Sequence, residues 1–186
     1  GPTMGAGVPA LMEGKEFVYP LCYKEVEILD MGPLRFSARM VFAPVQVGQD
    51  KDVVETRVIT LDKGTHLNKC EVAYANLSEA RKVAAGIAVH KSMPDAYVMN
   101  KKLGYVAQAD AMEHPGAVNG RIYIACLFPE GLKSVEYVPM AKEEAGAVGH
   151  VVGVSNYEPG DTFTYYFGSA WSKYDIPDMA VWQENV

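Results

Sequence analysis

Four histidines, a group of arginines and glutamates on strand-like runs, and a tryptophan followed closely by a lysine are the residues of this 186-residue chain equipped for chemistry. His90 closes an apolar run after Ala84, Gly86 and Ala88, so it faces any cavity those small residues leave open. His150 opens the strand-like run that leads into Glu158-Pro159-Gly160. An imidazole changes charge near neutrality, so either residue suits general acid/base work or sugar binding, and the competing reading is a hydrogen-bonded structural role. His66 sits beside a turn and His114 in the segment Ala111–Gly116, so both read as surface residues. No pair shows HxxxH or HExxH spacing, so no metal site is expected. A GxSxG elbow and phosphate-binding glycine signatures are also lacking, and no cofactor is expected.

Three consecutive runs carry charge on one side. In Leu34–Phe42 the even positions are apolar and the odd ones include Arg35 and Arg39; Val53–Leu61 carries Glu55 and Arg57 at odd positions; Leu67–Ala75 carries Lys69 and Glu71. If the runs are neighbouring strands, one face collects all six charged residues. That face is either an ordinary solvated surface with cross-strand ion pairs or a groove for an acidic saccharide. In the second case Arg35, Arg39 and Arg57 fork carboxylates, and Glu55 or Glu71 assists His90 or His150 in moving a proton.

The run after Pro159-Gly160 places Phe163, Tyr165 and Phe167 on one side and Thr162, Thr164 and Tyr166 on the other, which fits a strand packed on both faces. It delivers Trp171 and Lys173 to a sheet end. Trp171 reads either as a stacking platform for a sugar ring or as a cap on the core, and Lys173 as a partner for a uronate carboxylate.

Composition narrows the classes. At 49% hydrophobic the chain is long enough to bury a core, and its length favours one domain over residues 1–186. A net charge of −6 argues against a nucleic-acid partner, which a basic patch would announce. No apolar stretch approaches the roughly 18 residues of a membrane span, and no signal-peptide pattern opens the sequence. Cys22, Cys70 and Cys126 each lie in strand-like runs without CxxC or Cys/His spacing, so they are expected as buried free thiols, the alternative being a single disulfide with one spare.

The elements that must position these groups are strands. Period-2 alternation broken by Gly, Pro, Asn and Asp predicts an all-β, antiparallel two-sheet β-sandwich with little helix. Strands are expected over 18–29, 34–42, 53–61, 67–75, 83–91, 97–100, 105–109, 121–128, 135–138, 148–156 and 162–167. Turns are expected at Met31-Gly32-Pro33, Asp62-Lys63-Gly64 and Val118-Asn119-Gly120. The segment 77–85 reads as loop, and 177–185 as a short terminal helix. Residues 1–15, rich in Gly, Pro and Met, read as a loop that something should precede.

The segments Gly1-Pro-Thr-Met-Gly5, Val26-Glu-Ile-Leu-Asp-Met-Gly-Pro33, Val54-Glu-Thr-Arg57 through Leu61-Asp-Lys-Gly64, Ala85-Gly-Ile87, Asn119-Gly-Arg-Ile-Tyr123, and Pro159-Gly-Asp-Thr-Phe-Thr-Tyr-Tyr166 to Trp171-Ser-Lys173 resemble the domain-of-unknown-function family forty-eight sixty-one. The resemblance covers nearly the whole chain. It implies a β-supersandwich of the galactose-mutarotase type, found in secreted or periplasmic bacterial polysaccharide degradation beside unsaturated glucuronyl hydrolases. The implied ligand is a uronate-containing oligosaccharide of plant or algal type. Acid/base turnover as hydrolase, lyase or epimerase and non-catalytic glycan binding both remain open. The resemblance carries over no catalytic residue. It implies that the chain is the C-terminal half of a longer supersandwich, whose missing N-terminal half, or self-association, covers the exposed edges.

Overall fold

The computed structural model describes residues 3–114 and 117–186, with the side chains of 112–118 left aside. The expectation for His114 therefore lies outside the described side chains. The described residues form two antiparallel sheets and one short helix.

The small sheet has the order β12 (Ser134–Glu144), β13 (Ala147–Tyr157), β8 (Arg81–His90), β1 (Ala6–Glu13), β2 (Glu16–Val18). The large sheet runs β3 (Tyr23–Met31), β4 (Arg35–Phe42), β6 (Asp50–Asp62), β7 (Leu67–Ala75), β14 (Phe163–Trp171), β11 (Ala117–Leu127), β10 (Tyr105–His114), β9 (Tyr97–Asn100). The short β5 (Val45–Val47) pairs with β6. The all-β sandwich expected from the alternation is what the chain forms.

The main core lies between the sheets. Val83, Ile87 and Val89 of β8 meet Val72, Val106, Cys126 and Tyr165 of the large sheet. Each such aliphatic side chain contributes about 1.5–3 kcal/mol by leaving water. Phe163, Tyr165 and Phe167 do share the inward face, and Phe128 stacks on Phe163 and Tyr165 with ring centroids 6.2 and 6.1 Å apart. The turn that launches β14 is closed by Asp161 N donating to Glu158 O at 3.0 Å, with Gly160 at φ +96°.

A second core seats the helix. On the outer face of β10 and β11, Ala107, Ala109 and Ala125 are small enough to admit Trp182, which is fully buried there with Ile176. α1 (Met179–Asn185) starts behind Asp178, whose Oδ1 accepts from Val181 N at 3.0 Å. The expected terminal helix is thus present, with Pro177 preceding the cap instead of occupying the first helical position.

Several expectations need correction. Residues 1–15 are not a loop: β1 is inserted between β8 and β2. Gly7 and Pro9 interrupt its alternation, which hid it. Gly7, at φ +107°, sits at a register shift where a Cβ would lie 2.6 Å from Phe167 Cβ. The expected turn at 118–120 lies inside β11. Cys22 is exposed and outside the strands, while Cys70 and Cys126 are buried free thiols as expected. Burial pushes the Cys70 thiol up to about 11 and raises Cys126 as well, so neither is a poised nucleophile.

The large sheet outreaches the small one. Tyr23, Val26, Ile28 and Met31 of β3 pair across from Phe42, Met40, Ala38 and Phe36 on the core-facing side, yet Val26, Ile28, Met31 and Phe36 stand exposed.

Candidate active site

His90 is the expected candidate that the fold turns into a chemical unit. β8 ends at His90, and the hairpin turn Ala145-Gly146 folds beside it, with Lys91 N donating to Gly146 O at 2.9 Å. Ala145 and Gly146 both have positive φ, +49° and +81°, the backbone of a tight turn joining β12 to β13. From the opposite sheet, β10 brings Asp110, whose Oδ2 lies 2.6 Å from His90 Nδ1. An ionised carboxylate only accepts, so Nδ1 carries the proton and Nε2 is the basic nitrogen. A cavity of about 300 Å³ is lined by His90, Asp110, Lys91 and Ser92. Lys91 Nζ is held by Glu143 Oε1 at 2.8 Å on its rim. Asp110 Oδ1 is buried with no hydrogen-bond partner among the described residues.

The strand register links this pair to Trp171. Asp110 pairs with Ile122, and Ile122 with Trp171, so the three form one row across β10, β11 and β14. Adjacent strands lie about 4.8 Å apart, which places Trp171 two spacings from Asp110, about 10 Å. The indole is fixed: its Nε1 donates to Asn119 O at 2.7 Å, and Ser172 Oγ accepts from Arg121 N at 2.8 Å. Gly120 permits that approach, because a Cβ there would sit 2.5 Å from Ser172 Oγ and 3.4 Å from the indole nitrogen. Trp171 nonetheless keeps 45% of its surface exposed, so it does not cap the core. Lys173 is an exposed residue of the turn after it, its Cγ close to Gly120.

Sequence reasoning read His66 only as a surface residue beside a turn and did not single out the other residues that share Trp171's cavity. His66, Ser169, Tyr174 and Asp175 line a space of about 360 Å³ with it. His66 Nε2 lies 3.0 Å from Asp175 Oδ2, and the imidazole meets Trp182 edge-on at 5.8 Å. Gly168 sets this up. A Cβ there would fall 1.9 Å from His66 O, so only glycine lets the start of β7 lie against β14 at that point. No motif announces these residues, since they come from a turn, a strand and the segment before the helix.

His150 is placed differently. It is buried on the other face of the small sheet, where Nε2 accepts from Met4 N at 3.2 Å and Phe17 meets the ring edge-on. Burial pulls its pKa down to about 4, so the ring is neutral and structural.

The six-residue charged face divides. Arg35, Arg39, Lys69 and Glu71 lie on the outer face of the large sheet as expected, whereas Glu55 and Arg57 turn inward with Val53. The alternation of β6 is ambiguous because Val54, Thr56 and Val58 suit either face. The core side is set by the pairing of Glu55 with Tyr74 and of Arg57 with Val72. Glu55 is 1% exposed and ion-paired with Arg57 Nε. The guanidinium of Arg57 lies 4.2 Å over the Phe42 ring. Burial raises the Glu55 carboxyl against the pull of Arg57, which makes it a structural group shut away from any ligand.

On the outer face, Arg35 makes a two-pronged contact with Asp62 at 2.6 and 2.8 Å. Arg39 bonds Glu27 at 2.6 Å, and Lys69 bonds Glu71 at 2.8 Å. These are cross-strand and same-strand pairs at a solvated surface. Arg35, Lys69, Glu71 and Tyr166 line a depression of about 400 Å³ there, on the opposite face of the sheet from the row of Asp110 and Trp171. A wider cleft of about 740 Å³ at the far end of the sandwich contains Lys133, bonded to Asn156 at 3.1 Å; its lining includes no histidine and its aromatic rings are buried. Among the described residues no group of acidic, His or Cys side chains is arranged to hold a metal ion, and no helix is long and apolar enough to cross a membrane.

No curated protein and no solved structure matches the chain. The family model described as Domain of unknown function (DUF4861) matches residues 1–186, the whole of the sequence, and the chain therefore belongs to that family.

Proposed function

We propose that this is a carbohydrate-active domain acting by acid/base chemistry on uronate-containing oligosaccharides of plant or algal type, in a secreted or periplasmic setting. The observation that carries the catalytic part is the 2.6 Å contact between His90 and Asp110, made across the two sheets beside an open cavity. The ligand class and the setting are the ones that the resemblance of the sequence to the family described as Domain of unknown function (DUF4861) implies.

Among hydrolase, lyase and epimerase, proton abstraction fits the pair best. Glycoside hydrolysis ordinarily uses two carboxyl groups about 5–9.5 Å apart, one on each side of the bond. Here the carboxylate in the cavity, Asp110, is occupied in orienting His90. The hydrogen at C5 of a uronate is acidified by the neighbouring carboxyl group and suits a base such as Nε2. The proton passes from C5 to Nε2. The electron pair forms the C4=C5 bond as C4–O4 breaks, and the leaving oxygen takes up a proton. Where C4–O4 stays intact, the electron pair is held on the carboxylate as an enediolate, and a proton delivered by solvent to the other face of C5 gives the epimer instead. Lys91, on the cavity rim, is the cation nearest to such a carboxylate and would share it with Glu143, to which it is bonded at 2.8 Å.

A rival reading, a non-catalytic glycan-binding module, is favoured by the exposed and anchored Trp171 with Tyr174 beside it. Incubation with a panel of uronate-containing glycans in deuterated water, read by mass spectrometry, separates the two: an unsaturated, water-added or C5-deuterated product supports catalysis, and binding with none of these supports the module.

The working protein also covers the apolar overhang of β3 and β4 by association with a second copy of the chain. The exposure of Val26, Ile28, Met31 and Phe36 supports this. A monodisperse, cooperatively unfolding monomer of this chain would contradict it.

A further inference from the structure

We infer that the cavity beside Trp171 is a subsite for a neutral pyranose, so that the domain grips two linked sugars: a uronate at His90 and its neutral neighbour at Trp171. This rests on the reading above that the ligand is a uronate-containing glycan.

Three features point to a sugar ring. Trp171 offers an exposed indole face whose orientation is locked by the bond from Nε1 to Asn119 O, so stacking costs little side-chain ordering. Tyr174, 83% exposed, stands on the same cavity and provides a second aromatic surface. Between them Ser169 and the His66–Asp175 pair offer hydroxyl and carboxylate groups to equatorial and axial hydroxyls. A carboxylate has about four acceptor positions, and His66 occupies one side of Asp175. This mixture of apolar faces and convergent polar groups is how small polyhydroxylated ligands are held.

The charge selects a neutral sugar. Among the described residues that line the cavity, Asp175 is the acid, and His66, the group able to offset it, is already its partner. A uronate carboxylate placed there meets like charge in a partly enclosed site. Beside His90 the acid in the lining, Asp110, is likewise paired with its imidazole, but there a cation, Lys91, bonded to Glu143, also lies on the rim. The row from Asp110 through Ile122 to Trp171 sets the two positions about 10 Å apart, the reach of two linked rings and more than one.

The test is calorimetric titration of the intact chain, carrying His90→Gln so that no turnover intervenes. Three probes are used: an aldobiouronic acid (a uronate joined to a neutral hexose), digalacturonic acid and free galacturonic acid. The aldobiouronic acid should bind tightest. Trp171→Ala should weaken it by about tenfold, while changing affinity for free galacturonic acid by less than about twofold. Tyr174→Ala, at an exposed position where folding is not at risk, should weaken the same probe selectively, and Trp171→Phe should restore part of the loss. Unchanged affinity for the aldobiouronic acid in both alanine variants, or a preference for digalacturonic acid, overturns the subsite and leaves the acid/base reading standing. Failure of all three probes to bind overturns the subsite and the glycan reading together.

Discussion

His90 Nδ1 and Asp110 Oδ2 lie 2.6 Å apart although their strands belong to different sheets, so the imidazole is oriented by a group on the opposing layer. The pair exists only when the sandwich is closed, which ties the chemistry to the tertiary fold.

Removing either member should therefore cost turnover more than stability. His90→Gln and Asp110→Asn are each expected to lower the rate by about 10² to 10⁴, the usual worth of a positioned acid/base group. Their thermal unfolding should stay close to that of the parent, because His90 is partly exposed. Steady-state rates beside calorimetric melts decide the point.

Acid should loosen the fold through His150. Unfolded, this imidazole titrates near 6.5; folded, burial lowers it to about 4. The unfolded chain thus binds more protons between those values. The stability this group contributes is fully present above about pH 6.5 and is lost as pH falls through about 4, by about 3 kcal/mol at most. Denaturant titrations across that range should show the slope, and His150→Gln, which keeps an acceptor for Met4 N, should flatten it.

Charge pairs on the two faces of the large sheet should differ in worth. Glu55→Ala strands the Arg57 guanidinium in the core and should cost about 3–5 kcal/mol. Lys69→Ala and Arg39→Ala break solvated pairs and should each cost less than about 1 kcal/mol. Arg39→Ala should also leave glycan affinity unchanged, since its guanidinium is taken by Glu27 on the face away from Trp171. Urea melts and titrations of the three variants check these expectations.

Gly168→Ala should damage the Trp171 cavity from a distance. The added methyl group meets the His66 carbonyl at 1.9 Å, and backbone on both sides must part, at a cost of about 1–3 kcal/mol. His66 then leaves Asp175, and the loss should appear in glycan affinity as well as in the melting temperature.

What could be read from the residues follows from which interactions are local. Alternation placed most strands, down to the full extents of β7 and β9, because side-chain period is a property of each strand alone. It failed at β1, where Gly7 is required by the neighbouring Phe167, and at β6, where both sides carry residues able to face inward. His90 and Trp171 stood out by type and by position at strand ends. Asp110, His66, Tyr174 and Asp175 did not, since each gains its role from a partner distant in sequence: 20 residues separate His90 from Asp110 in the chain. Periodicity is silent about which sheet faces which.

The central claim is that His90 and Asp110 move a proton on a uronate sugar, and product analysis of a uronate-glycan panel tests it most directly. The account predicts a product with a C4=C5 double bond, or an epimer exchanging its C5 hydrogen with deuterated solvent, formed by the parent protein and abolished in His90→Gln. Identical product from His90→Gln, or glycan binding with no product from the parent, would contradict it.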